Sequence, residues 1–161
     1  MSELIKEIKN DWILKKQRHM TTSLKYQGLI APCGMNCGLC IGHLREKRPC
    51  GGCFKIDDEN KPNVCRSCKI INCSLLAETE SGFCYDCEKY PCTRLKNLDK
   101  RYRTNYGMSM IENLTNIKIV GLDGFLINEE EKWKCKDCSA GLSVHRDFCL
   151  NCKTKINKNA C

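Results

Sequence analysis

Long hydrophobic runs are missing from this 161-residue chain. No stretch approaches the ~20 apolar residues that cross a bilayer, which excludes a helical membrane span. The N-terminal segment sets Glu3, Lys6, Glu7, Lys9 and Asp11 among its apolar positions. It therefore offers no uninterrupted apolar core of a secretory signal, and a reducing cytoplasm is the expected location. Ordinary hydrophobes are scarce as well. The 42% apolar fraction counts 16 cysteines, and without them only about a third of the chain can build a conventional core, so staples are needed. No Gly-rich phosphate loop, Ser-His-Asp set or paired-carboxylate site stands out, and no reaction can be read from the residues. Asp57, Asp58 and Glu59 read as a polar turn before Pro62.

What the chain has instead is cysteine, at metal-ligand spacing. Cys33, Cys37 and Cys40 form C-x3-C-x2-C, and Cys50 and Cys53 form C-x2-C. Cys65, Cys68 and Cys73 form C-x2-C-x4-C, a pattern repeated by Cys84, Cys87 and Cys92. Cys135, Cys138, Cys149 and Cys152 make a separate C-x2-C…C-x2-C. Two thiolates three positions apart converge on one cation because a tight turn brings both sulfurs to one side, where its amides can donate to them. In a reducing compartment the staples are metals rather than disulfides.

The expected fold is a small, metal-stabilised α+β protein in four parts. Residues 1–22 read as an amphipathic helical extension, with Leu4, Ile5, Ile8, Trp12 and Ile13 at helical spacing, although Met20 could also begin a chain. Residues 23–107 form a loop-rich cysteine domain with short helices, 108–133 a helical connector, and 134–161 a zinc-ribbon hairpin. Within the cysteine domain each thiol of the first C-x2-C-x4-C recurs 19 residues later, with Ser74 and Thr93 as matching helix N-caps after the third cysteine. A thiolate there would face a helix N-terminus. Thr93 to Tyr106 predicts a helix ending at Gly107, and Ser109 with Glu112 a capping box opening a second. That helix stops near Gly121, and Asp123 caps a short third one.

The C-terminal quartet is the most specific signal. Four cysteines on two knuckles close the tetrahedral shell of a zinc ion, with a rubredoxin-like iron site as the competitor. Trp133 would cap its small core, and His145 reads as an exposed or packing residue. Cys161 is a free terminal thiol. The spacing of Cys33, Cys37 and Cys40 resembles that of radical S-adenosylmethionine enzymes, but the chain beyond Cys40 has no β/α alternation to build their barrel. The C-x2-C-x2-C-x3-C-P ferredoxin run is absent too.

Eleven thiols between Cys33 and Cys92 are an awkward number for four-ligand sites. His43 is the natural twelfth ligand, with a site left open to water, or a spectator cysteine, as the alternatives. If the CxxC pairs combine two by two, Cys33, Cys73 and Cys92 remain, and they are expected to converge with His43. Zinc is the expected metal throughout, with an iron–sulfur cluster as the alternative in the 33–92 region.

A formal charge of +8 invites a nucleic-acid reading, but metal-bound cysteines are thiolates. Three four-cysteine sites and one three-cysteine-plus-His site would cancel about seven of those charges. Arg94, Lys96, Lys100, Arg101 and Arg103, with Tyr102 and Tyr106, form a basic helix that suits either a nucleic acid or a solvated face. A nucleic-acid partner is possible without being favoured, and a protein partner is expected.

The run Ala31-Pro-Cys-Gly-Met-Asn-Cys-Gly-Leu-Cys40, followed by Cys50-Gly-Gly-Cys53, resembles the family catalogued as domain of unknown function 3795. So do Cys68-Lys-Ile-Ile-Asn-Cys73 and Cys84-Tyr-Asp-Cys-Glu-Lys-Tyr-Pro-Cys92, and the segment from Ser109 to Trp133 and Val144-His-Arg146 is similar to longer members. The resemblance covers about Gly28 to Cys152, leaves out the first twenty residues, and does not account for Cys65. It implies a small, cysteine-rich, metal-binding protein and brings no established reaction or substrate. The reading is thus an intracellular zinc protein acting as a structural or interaction module. Its alternatives are an iron–sulfur protein for electron transfer or redox sensing and, third, a nucleic-acid-binding zinc protein.

Overall fold

The computed structural model describes residues 28–55 and 57–157. The expected helix at 1–22 and the terminal Cys161 lie outside the described residues. Three one-turn helices, α1 (Ile41–Leu44), α2 (Asn63–Arg66) and α3 (Ser74–Ala77), punctuate the cysteine-dense part. Two longer ones follow, α4 (Thr93–Tyr106) and α5 (Met110–Lys132). The expected α+β class gives way to a helix-rich fold with little strand. Among the described residues β pairing is confined to isolated bridges, Ile30 to Asn36, Lys134 to Gly141 and Phe148 to Lys155. The physical reason is local: the chain turns at nearly every cysteine, so no extended run is long enough to form a ladder.

The long helices begin and end close to where their sequence signals place them. Ser109 Oγ accepts the Glu112 amide at 3.1 Å, the first half of a capping box. α4 ends at Gly107 in the left-handed region. At Gly121, with φ 75° and ψ 173°, α5 bends sharply, a conformation open essentially to glycine alone. The expected stop near Gly121 is thus met by a break between two helical stretches of α5, which fold back far enough for Asn128 Nδ2 to donate to Asn116 Oδ1 at 3.0 Å. Asp123 lies at the start of the second stretch rather than at its cap. Ser74 and Thr93 also shift by one place. Each is the first residue of its helix, and the N-caps are Cys73 and Cys92 themselves, in extended conformation.

One hydrophobic core joins the cysteine-dense part to the C-terminal knuckles. Leu39, Leu95, Met108, Met110 and Leu114 pack with Trp133, Leu142 and Val144, and Cys33, Cys135 and Cys149 are buried in the same cluster. Trp133 therefore does not cap a private miniature core. A smaller cluster joins Ile30 to Ile117 from before the break at Gly121 and to Phe125 and Leu126 from after it. Gly34 packs tightly against the start of α5. A methyl group on it would sit 2.7 Å from the Met110 carbonyl and 2.9 Å from Leu114 Cγ, while Asn113 Nδ2 donates to its carbonyl at 2.9 Å.

Asp99 locks α4 to the start of α5. The residue is only 2% exposed, yet its carboxylate accepts the Ser109 hydroxyl at 2.7 Å and the Ile111 amide at 3.1 Å, and pairs with Arg103 Nε at 2.8 Å. Burial works against its charge, but these partners outweigh it and hold its carboxyl below the usual value. A depressed folded pKa stabilises the fold above the unfolded value and loses that contribution as pH falls through the folded one. Asp99→Ala is expected to cost roughly 3 kcal/mol near neutral pH. The loss should shrink below about pH 4, which urea unfolding across pH would measure. A constant cost at all pH values would contradict the carboxylate's role.

Candidate metal centres

The C-terminal quartet forms from two near-identical turns. In the first, the Cys135 amide donates to Ala140 O at 2.8 Å and the Ser139 amide to Cys135 O at 2.9 Å. In the second, the Cys149 amide donates to Thr154 O at 2.9 Å and the Lys153 amide to Cys149 O at 3.0 Å. Ser139 (φ 60°) and Lys153 (φ 64°) occupy matching left-handed positions. The two bridges flanking the turns, at 134/141 and 148/155, also correspond. The common offset between Cys135/Cys138 and Cys149/Cys152 was the sequence signal for this internal symmetry.

These turns bring the four sulfurs within 4.8 Å of one another. Cys135 and Cys152 are 3.7 Å apart, and Cys138 and Cys149 are 3.6 Å apart. Those distances are far beyond an S–S bond of about 2.0 Å, and they match the ~3.8 Å that metal–sulfur bonds of about 2.3 Å impose across a tetrahedron. A hydrogen bond from the Asn151 side chain, then one from the Ala140 amide, lower the Cys138 thiol to about 6, and Thr154 lowers Cys152. Part of the quartet is thus prepared as thiolate, the form that binds metal. The quartet can hold a metal ion.

The cysteine-dense part falls into two neighbourhoods. In the first, Cys37 and Cys40 flank a 3-10 turn, Cys37–Leu39, and Cys37 Sγ lies 3.9 Å from Cys53 Sγ. The hydrogen bond from Cys37, reinforced by the Lys61 ammonium, lowers Cys53 to about 7, while giving that bond pushes Cys37 up. Lys61 is buried and its Nζ donates to Cys53 O at 2.9 Å, a partner for this site that the sequence did not signal. Cys40 caps α1 and accepts the Gly42 amide at 3.4 Å. Burial, then the charges of Cys53, Cys40 and Cys50, raise Cys65 to about 11, which places it beside this group. Asp58 is more than a polar turn: its buried carboxylate accepts the amides of Gly51 and Asn60 and anchors the Cys50–Cys53 loop.

The second neighbourhood contains Cys73, Cys84, Cys87 and Cys92. Cys84 and Cys87 again flank a 3-10 turn, and Cys73 and Cys92 cap α3 and α4. Burial, then repulsion from Cys92, Cys87, Cys73 and Cys68, drives Cys84 up to about 12. The Cys65–Cys68 knuckle interacts with both groups, Cys65 through the charges of Cys53, Cys40 and Cys50 and Cys68 through its effect on Cys84.

The expected convergence of Cys33, Cys73, Cys92 and His43 does not occur. Among the described residues, the C-terminal quartet is the group of three or more such side chains whose ligand atoms lie within 4.8 Å of one another. Cys33 belongs to the hydrophobic core, where burial pushes its thiol up. His43 Nδ1 lies 2.7 Å from Cys50 O. A carbonyl only accepts, so Nδ1 is the donor, the arrangement by which a ligating histidine is held through one nitrogen while it binds metal through the other.

His145 is a packing residue. Its Nδ1 accepts the Ile41 amide at 3.4 Å, its Nε2 meets Tyr102 Oη at 3.2 Å, and its ring packs against Tyr106 at 4.8 Å. The aromatic residues of the basic helix are thus turned toward the protein. Arg103 is paired with Asp99, while Arg94, Lys96, Lys100 and Arg101 remain exposed. No helix among the described residues is long and apolar enough to cross a membrane. The chain matches no protein-family model, no curated protein and no solved structure.

The matched turns carry a direct test. Ser139→Val should lower the thermal stability of the metal-bound protein by about 1–2 kcal/mol, because a branched side chain resists positive φ. Ser139→Gly should not destabilise it. Equal losses in both variants would contradict the turn geometry.

Proposed function

We propose that this chain is a zinc-binding protein that acts as a structural or interaction module, and that its kinship lies with the domain of unknown function 3795 family. The observation that carries the reading is the closed quartet of Cys135, Cys138, Cys149 and Cys152, with sulfurs spaced for one tetrahedral ion. Four thiolates leave no open position for water or substrate, which favours structure over catalysis. The chemistry of the donors also suits ferrous iron, but redox-inert zinc fits a site whose turns are part of the core. The ribbon stiffens a platform rather than standing apart, since Val144 and Ser143 both bond to Leu39 O across the core. A protein partner suits that platform better than a nucleic acid does, because the tyrosines of the basic helix are already engaged. The thiol chemistry suits a reducing compartment such as the cytoplasm.

Elemental analysis of the full-length protein should find zinc, and Cys138→Ala with Cys149→Ala should remove one ion per chain relative to the unaltered protein. Unchanged metal content in that double variant would refute the site. Binding of the metal-loaded protein to generic duplex DNA at physiological salt should be weak and carry a shallow salt slope. A steep log–log slope, signifying many phosphate contacts, would replace the protein partner with a nucleic acid.

A further inference from the structure

The second cysteine neighbourhood has a geometry that a single ion does not explain. Cys73, Cys84, Cys87 and Cys92 line one cavity of about 460 Å³, far larger than the roughly 30 Å³ of one water. They face the same space, yet no three of their sulfurs come within 4.8 Å of one another, whereas all four of the C-terminal quartet do. One chain thus contains two four-thiol sets on different scales. Zinc or a lone iron needs the compact set. In a cubane cluster each thiolate binds a different iron, so the four sulfurs stand farther apart around a larger body.

The rest of the cavity suits that body. Leu75, Leu76 and Leu95 supply apolar wall, which keeps water from the cluster sulfides. Lys69, Lys89 and Arg94 also line it, and no carboxylate does. A [4Fe–4S] cluster in its 2+ state with four thiolates carries −2, so cations without competing acids match its sign. Cys92 caps the fourteen-residue α4, whose N-terminal dipole favours a thiolate.

We propose that Cys73, Cys84, Cys87 and Cys92 are the ligands of a [4Fe–4S] cluster, distinct from the zinc site of the ribbon. The proposal does not rest on the ribbon reading, since no residue is shared. It makes the protein a two-metal molecule, with a compact redox-inert site and a wider one that accommodates a redox-active cluster.

The test uses the full-length chain purified without oxygen and reconstituted with equal amounts of ferrous and ferric iron and with sulfide, which supply the two Fe(II), two Fe(III) and four sulfides of the 2+ core. About four irons and four sulfides per chain are expected, with a brown visible absorption. Cys87→Ala and Cys92→Ala should each lose most of that iron and colour while retaining ribbon zinc, which shows that the remainder is folded. Cys135→Ala should do the reverse, losing zinc and keeping iron, so failure of one site is distinguishable from failure of the other. A colourless protein that takes up only zinc after reconstitution would overturn the proposal. So would iron and colour undiminished in both Cys87→Ala and Cys92→Ala, or iron lost with Cys135→Ala alone.

Discussion

Thiolates drawn together inside a protein repel one another unless a cation lies among them, and this constraint shapes the whole molecule. Cys84 shows the unbalanced case, its thiol driven up first by burial and then by four neighbouring sulfurs. Metal binding reverses the sign of that interaction. In small zinc domains it contributes roughly 10–16 kcal/mol to folding, a large term beside a typical net stability of about 5–15 kcal/mol. A chain with so few ordinary hydrophobes is the kind that needs it.

The metal-ligand turns and the core are interlocked rather than stacked as separate modules. Cys135 and Cys149 are both ligands of the quartet and buried members of the main cluster. Leu39, between Cys37 and Cys40, accepts through its carbonyl from Val144 and Ser143 between the two C-terminal knuckles. Tyr102 of α4 reaches His145 in the same stretch. The C-terminal turns are therefore tied to the first cysteine turn and, at Tyr102, to the later turns of α4, away from Cys92 at its N-terminus.

Elements with local causes were legible in the sequence. The capping of α5 by Ser109, the end of α4 at Gly107 and the break at Gly121 depend on neighbouring residues, and each lies at or beside its expected place. The quartet was legible because its four ligands lie within one short segment and its turns repeat. Features set by tertiary contact were not. Counting grouped Cys33 with Cys73 and Cys92, but the turn that carries it is pressed against α5 at Gly34, and the buried thiol feels Cys53, Cys84 and Cys68 instead. The 19-residue repeat suggested equivalent lobes. Instead α3 is a single turn and α4 runs fourteen residues, because Leu95 finds the core and Leu76 stays half-exposed. Buried Lys61 beside Cys53 had no sequence signal, since a lysine in a polar loop reads as solvated.

The claim that metal–thiolate bonds organise this fold is tested most directly by amide hydrogen exchange on the full-length protein before and after chelation. The account predicts that stripping the metal from the quartet speeds exchange at Cys135, Ser139, Cys149 and Lys153, and together with them at Val144, whose amide is bonded to Leu39. Protection of those amides that survives complete metal removal would contradict it.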